Sequence, residues 1–527
     1  MLGPRAQTGF PPVLTPAGRA KGAWLGLGAG GIAVFAMLVL NLAAGLPSLI
    51  DVLGTGLALL LPGPVFGAMI DVLQERGRPL LLMGMATMIL VISALLGGVM
   101  ARWTWRLVAA APAETPSRRG TSWGRWLIPG VGLWVVTLPL VAVAEGGLRA
   151  AATWTTLLDW VVLSGIVEVL LNLPQLGGSS AGVTGSQRVG VLTRRSFLVA
   201  TGGVLGAASL GYLGTRILAA GSPSLPKIVG GGPLLGRLPA GVTPTSDFYV
   251  VSIDLFGPPR VDPNSWRLTV AGSRRVAVGY QELLTMPSVE QTQTLECISN
   301  PVGGTLISNG VWRGVRLSTL LNRAGVPAGT ENIVFHCADG YSESLPVDEA
   351  MASSTLIATR LNGSVLPSQH GFPARILVAG HYGMKDPKWL TGISTTPNGF
   401  TGYWEQQGWN AAAVPQIFSR FDFPSGSARV TSGRQYLLTG IAFAGELGVG
   451  EVQVSFDGGS RWTEAVLQPP LSPYAWTIWS LPWRPSSGLY TLSVRAADGL
   501  GRFQVRGGGG TYPNGASGYQ VIVVSVV

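Results

Sequence analysis

The chain has 527 residues, of which 47% are hydrophobic and only 12% charged, with 75 glycines and a formal net charge of +10. That length provides for several domains, and the low charge content excludes a disordered chain and argues against a wholly water-exposed one. Residues 1–225 carry 15 Lys and Arg against 7 Asp and Glu, and residues 226–527 carry 21 against 19. The basic excess therefore flanks apolar helices and is not a stripe on the folded half, so nucleic acid is excluded as a partner.

In chain order, apolar runs of spanning length cover about 24–46, 79–101, 126–144 and 197–220. A weaker run at 156–173 carries Asp159 and Glu168, and a run at 50–71 is broken by Pro62-Gly63-Pro64. The Arg-rich loops 102–125 and 174–196 share one side with the basic N-terminus only if 50–71 does not cross. The expectation is about five spans, a multi-pass cytoplasmic-membrane anchor over 1–220, and an extracytoplasmic remainder. Thr193-Arg194-Arg195-Ser196-Phe197-Leu198 precedes a Gly/Ala-rich apolar helix and resembles a twin-arginine export signal spanning 193–220. No histidine precedes His336, so this half offers no pair of haem ligands.

Residues 221–242 read as a Gly/Pro-rich linker. From 243 to 411 short alternating runs such as 266–270 mix with helical patches at 317–324 and 347–352, which predicts an α+β domain. No G-x-G-x-x-G follows a strand and no P-loop is present. From 412 the pattern becomes pure β, with strands predicted at 436–443, 451–456, 462–467, 475–481, 489–496 and 519–527. This spacing predicts an immunoglobulin-like β-sandwich serving interaction or support.

Two constellations carry chemistry. Cys297, one of two cysteines, ends a strand-like run before the loop Ile298-Ser299-Asn300-Pro301, where a thiolate binds a soft metal or acts as nucleophile, although a lone cysteine is also a common small core residue. Cys337, inside an apolar run, fits that core role. Gln369-His370-Gly371-Phe372-Pro373-Ala374-Arg375 and His381-Tyr382-Gly383-Met384-Lys385-Asp386-Pro387-Lys388 gather cations among glycines and prolines, a seat for an anion or a solvated basic loop. A zinc or copper site from His336, His370 and His381 with a cysteine is the second enzyme reading, but histidine separations of 34 and 11 residues match no compact metal motif.

Residues 243–395 resemble the molybdopterin-binding domain of the sulfite oxidase family, and 412–527 resemble its immunoglobulin-like dimerisation domain. Thr243-Pro244-Thr245-Ser246-Asp247-Phe248-Tyr249, Leu295-Glu296-Cys297, Asp339-Gly340-Tyr341 and the His370–Arg375 and Gly383–Leu390 segments match the family's motifs in order. The resemblance implies a molybdenum-molybdopterin (Mo-MPT) cofactor with Cys297 as the protein ligand to the metal and Tyr341 as an active-site hydroxyl. It also implies that Tyr249, His370, Arg375, Lys385 and Lys388 hold the cofactor. Val251-Ser252-Ile253 and Asn300-Pro301-Val302 stand where sulfite-oxidising members carry cationic residues, and the opening segment is closer to the bacterial sulfoxide-reducing branch. The implied activity is oxygen-atom transfer of the sulfite-oxidation or sulfoxide-reduction class, with a small sulfur oxyanion or oxide as substrate. A separate cytochrome or quinone-linked protein would exchange electrons, and a homodimer is implied by the C-terminal domain. The non-enzyme alternative is an anchored binding protein with a degenerate pterin domain.

Overall fold

The computed structural model describes residues 16–44, 77–109, 194–219 and, with gaps at 237, 254–257 and 427, residues 236–527, besides a few isolated positions. The chain divides into two compact units that part after Gly221.

The first unit holds α1 (Pro16–Ala44), α2 (Gly77–Ala109) and α3 (Arg194–Ala219). Glycines set how closely they approach. A Cβ on Gly31 would run into the Gly202 carbonyl, and one on Gly202 into that of Gly28. Ala29, Val34, Ala86 and Ile89 are fully buried. The five-span expectation is corrected here, because among the described residues no helix is long and apolar enough to cross a membrane. The physical reason is that glycine and alanine dilute the apolar character of these helices. The runs 50–71, 126–144 and 156–173, the linker 221–242 for the most part and Thr193 lie outside the described residues.

In the second unit the α+β part contains β1 (Arg267–Ala271), β2 (Arg275–Gly279), α4 (Tyr280–Thr285), β3 (Ser288–Glu296), β4 (Ile307–Arg316), α5 (Leu317–Ala324), β5 (Asn332–Cys337), β6 (Ser342–Pro346), α6 (Val347–Met351), β7 (Leu356–Leu361), β8 (Ser364–Val365), β9 (Arg375–Leu377) and β10 (Leu390–Thr396). They form two sheets, ordered β2-β1-β10-β5-β6 and β3-β4-β7-β8, with β9 pairing β7. Periodicity dictates which side chains enter the core. In β1, Leu268 and Val270 are buried while Arg267 is exposed. In α5, Leu317, Leu320, Leu321 and Ala324 line one face before Gly325 takes a φ of 72° to end the helix. These residues join Phe335, Ile357 and Ile393 in one core, while Phe248, Leu295, Trp312 and Leu377 form another beside β3, β4, β7 and β9.

The remaining strands are β11 (Phe418–Phe423), β12 (Arg429–Val430), β13 (Tyr436–Phe443), β14 (Val449–Ser455), β15 (Thr463–Glu464), β16 (Val466–Leu467), β17 (Thr477–Trp483), β18 (Gly488–Asp498) and β19 (Gln520–Val526). Two sheets, β11-β13-β17-β16 and β12-β19-β18-β14-β15, enclose a shared core around Trp479, Leu438, Val452 and Val494. The run 462–467, expected as one strand, is two. Thr463 and Glu464 pair with β14, buried Ala465 turns inward, and Val466 and Leu467 pair with β17 in the other sheet. This β-rich part backs β3 and β4. Trp476 donates its N–H to Thr294 Oγ1 at 2.9 Å, Thr294 donates to the Tyr474 carbonyl at 3.0 Å, and Arg420 reaches the Gly304 carbonyl at 2.8 Å.

Candidate active site

Cys297 leaves the end of β3 on a tightly bonded loop. Its N–H donates to Leu306 O and its carbonyl accepts from Asn300 N, both at 2.9 Å. Asn300 ties the loop's two ends together, donating to Glu296 Oε1 at 2.9 Å and accepting from Leu306 N at 3.0 Å. The thiol, only partly exposed, lies 3.0 Å from the Ser299 hydroxyl. Burial pushes its pKa up, while Ser299 and Lys388 pull the other way. A soft metal here must therefore displace a proton. Glu296 beside it is pushed up to about 8 by burial, against Asn300 and Arg420, and its Oε2 has no hydrogen-bond partner.

The opposite wall comes from the turn Ser368–His370, β9 and the turn Gly383–Lys385. Gly371 adopts φ 111°, and a side chain there would crowd the Cβ atoms of Arg375 and Lys388 at 3.1 Å each. The missing Cβ lets those two side chains converge. Arg375 is 5% exposed, donates to the Asp386 and His370 carbonyls at 2.8 and 3.3 Å, and lies 5.3 Å over Trp312. Lys388 donates to the Val251 carbonyl at 2.8 Å and rests 4.4 Å over Trp389. Burial, then Arg375 and Lys388, push His370 down to about 4, so its imidazole is neutral at physiological pH.

Two tyrosines complete the wall. Tyr249 is anchored by its N–H to Ser308 Oγ at 3.1 Å, and burial raises its phenol well above the usual value. Tyr341 donates its hydroxyl to Met384 O at 2.7 Å and also lies 3.3 Å from Glu343 Oε2. Burial, then Glu343, raise its pKa well above the usual value, keeping it a neutral donor.

Tyr249, Cys297, Tyr341, His370, Arg375 and Lys388, from five separate stretches of sequence, line one cleft. Lys385 does not join them, which corrects the expectation drawn from its motif. Its Nζ turns inward to Glu343 at 2.9 Å and Glu405 at 2.5 Å, because two buried carboxylates outbid a cleft for a single ammonium. Burial lowers its pKa, but the two carboxylates more than offset that and hold it above the usual value. Burial pushes Glu343 up to about 7. Cys337 is buried as a core residue, His336 pairs with Ser394 at 3.0 Å, and His381 lies 3.3 Å from Glu349. Among the described residues no three His, Cys, Asp or Glu groups converge to hold a metal.

Sequence reasoning missed Ser299, Glu343, Glu405 and Asp386. Asp386 lines the cleft, and its Oδ1 accepts from Val378 N at 2.6 Å while the buried Oδ2 has no partner. Burial, opposed by Arg375, pushes it up to about 7. Its only sequence signal is its place between Lys385 and Lys388. A soft thiol, two fixed cations and an acceptor lacking a donor fit a ligand that joins a thiophilic metal to an anionic group and N–H donors.

A family descriptor, oxidoreductase molybdopterin binding domain, matches residues 256–404. The uncharacterized oxidoreductase YuiH of Bacillus subtilis is 30% identical over 188 residues, 35% of this chain and 92% of that protein. The sulfite oxidase of Gallus gallus is 31% identical over 273 residues, 42% of this chain and 59% of that enzyme. A putative protein-methionine-sulfoxide reductase subunit, YedZ1, of Azospira oryzae is 33% identical over 152 residues, 28% of this chain and 56% of that subunit. The chain thus spans nearly all of the first relative and somewhat over half of the other two.

Proposed function

The chain belongs to the sulfite oxidase family of molybdopterin-binding oxidoreductases, and from that premise we propose that it removes an oxygen atom from a small uncharged sulfoxide at a molybdenum bound through Cys297. The cofactor is molybdenum-molybdopterin; when bound it supplies two-electron oxygen-atom transfer. Arg375 and Lys388, the Arg and Lys that line the cleft among the described residues, would grip its phosphate. Asp386 would accept from its N–H groups, and Tyr249 and neutral His370 would pack the pterin. Tyr341 would donate a hydrogen bond or a proton to the oxygen in transit.

The observation that carries the substrate class is the apolar lining of the cleft. Val250, Val251, Ile253, Ile298, Trp404 and Trp409 are among its lining, and beyond Arg375 and Lys388, which the cofactor's phosphate would take up, no Lys or Arg lines it among the described residues. A sulfite dianion leaving water needs charged partners, and two missing charge-assisted hydrogen bonds at about 1.5–3 kcal/mol each weaken its capture by about 10²–10⁴-fold. An uncharged sulfoxide loses nothing there.

Electrons are supplied by a separate redox protein. The sequence has three histidines, and each is engaged within the α+β part, at Ser394, at Glu349 or in the cleft. The twin-arginine-like stretch beginning at Thr193 supports export of the catalytic part, and cell fractionation with protease protection tests it. The activity test is a paired assay on holoprotein, sulfoxide reduction with a reduced dye against sulfite oxidation with ferricyanide. The sulfoxide should give the higher kcat/KM by at least about 10², and a preference for sulfite refutes the substrate class. Cys297→Ser should retain its fold and lose both activities; full activity refutes the ligand assignment.

A further inference from the structure

Behind Tyr341, away from the cofactor-gripping residues, lies a cluster that the assigned chemistry does not use. Glu343, on β6, is fully buried, and Glu405, on the turn Glu405–Gln407, has a side chain only 6% exposed. Lys385 is the cation both carboxylates share, at 2.9 and 2.5 Å. Glu343 Oε1 also accepts from Ser344 N at 2.8 Å, Glu405 Oε2 accepts from Gly402 N at 2.8 Å, and Gly402 has no room for a Cβ because the Glu343 carboxylate occupies it. The other Glu343 oxygen faces the Tyr341 hydroxyl at 3.3 Å. Other titratable groups near it are the buried Cys337 thiol on the neighbouring strand β5, Asp339 on the turn before Tyr341, and Tyr403, whose ring lies 5.7 Å from that of Tyr341.

One ammonium balances one carboxylate. Burying the second as an anion is costly, so the cluster retains one proton near neutral pH. Sulfoxide reduction consumes two protons and two electrons for each oxygen released as water. The cleft needs a proton source within reach of that oxygen.

We propose that Glu343 is a proton store for the cleft and exchanges one proton with it through the Tyr341 hydroxyl. The Tyr341 O–H bond breaks toward the oxygen atom in the cleft as the Glu343 O–H bond breaks toward the phenol oxygen. Tyr341 ends neutral, Glu343 ends as a carboxylate paired with Lys385, and one proton has entered the cleft with no change of electron count. Lys385 reloads Glu343 by giving it one N–H proton and taking one back from solvent on the side of the partly exposed Glu405–Gln407 turn. Glu343 is a positioning and proton-storing residue, while Tyr341 meets the substrate.

The test uses full-length holoprotein as wild type, Glu343→Gln, Glu343→Asp and Glu405→Gln, with pterin content measured beside a pH profile of sulfoxide turnover. Wild-type turnover falls as pH rises through the Glu343 titration near 7. Glu343→Gln, which leaves a one-to-one Lys385–Glu405 pair, keeps its pterin and KM but loses that limb and about 10² of kcat; Glu343→Asp retains the limb. Glu405→Gln removes a charge that raises Glu343 and moves the limb to lower pH. A fully loaded Glu343→Gln protein that keeps both the limb and wild-type kcat overturns the proposal. Should Glu343→Gln fail to load, an unmoved limb in Glu405→Gln overturns it.

The inference rests on the sulfoxide reading, and the two fail differently. If sulfite alone is turned over, that reading falls, while the relay predicts an inverted limb, rising with pH as Glu343 accepts protons and lost in Glu343→Gln. If neither substrate reacts, infrared titration decides. A carboxylic-acid carbonyl band vanishing near pH 7 in wild type and missing from Glu343→Gln supports the store, and no such band in wild type at pH 6 refutes it.

Discussion

Lys385→Met removes the single charge that two buried carboxylates share while keeping the unbranched stem in place. Breaking a buried ion pair by deleting one partner costs about 3–5 kcal/mol, because the survivor stays uncompensated. With Glu343 fully buried and Glu405 at 6% exposure, the upper half of that range applies above neutral pH. At roughly 2–4 °C of melting temperature per kcal/mol, the variant should melt about 8–20 °C below wild type. The pH dependence follows from the direction of the Glu343 shift. Its folded pKa, about 7, lies above its ordinary 4.5, so the stability it contributes is present below 4.5 and lost as pH rises through 7. Removing the lysine raises that pKa further, so the defect should be greatest above pH 7 and shrink toward pH 5. Lys385→Met/Glu343→Gln/Glu405→Gln, which replaces all three charges, should recover most of the loss. Urea unfolding at pH 8 and pH 5 measures both effects. A loss below about 1 kcal/mol at pH 8, or one that grows on acidification, refutes the reasoning. Variant protein purified folded should retain its pterin, since Lys385 faces away from the cleft; loss of pterin with an intact fold restores it to the cofactor-holding group.

Lys388→Ala, at a half-buried position, should leave folding within about 1 kcal/mol of wild type and lower pterin occupancy, whereas Arg375→Ala should cost about 3 kcal/mol as well, since it abandons buried carbonyls and Asp386. Fluorescence of released pterin reads the occupancy, and unchanged content in both variants refutes the anchoring role. His370 is 2% exposed and pushed from 6.5 to about 4, so the stability it contributes is present above pH 6.5 and lost as pH falls through 4. That shift corresponds to about 3 kcal/mol. His370→Gln should flatten the wild-type decline between pH 6.5 and 4, and an unchanged slope in urea midpoints refutes the assignment of a buried neutral imidazole.

The cysteine loop, the Asp339–Tyr341 turn and the His370–Arg375 segment could be read before any fold was known, because each is a run of consecutive residues whose chemistry and order are visible together. Strand and helix faces were legible for the same reason, as in the period-two burial of β1 and the one-sided leucines of α5. The runs 24–46, 79–101 and 197–220 misled, since counting residues as apolar gives glycine and alanine the same weight as leucine, and the helices they form are not long and apolar enough to cross a membrane.

What the amino-acid order determined by itself was an inventory: one cysteine poised at a strand end, a few cations among glycines, and the family to which these belong. Which cation serves which anion was decided only in three dimensions. Lys385 and Lys388 are three residues apart, yet one is drawn to Glu343 and Glu405 from elsewhere in the chain and the other reaches the cleft. Charge pairing and protonation depend on distance through a low-dielectric interior, and those distances exist only once β6, the Gly383–Lys385 turn and the Glu405–Gln407 turn have packed together.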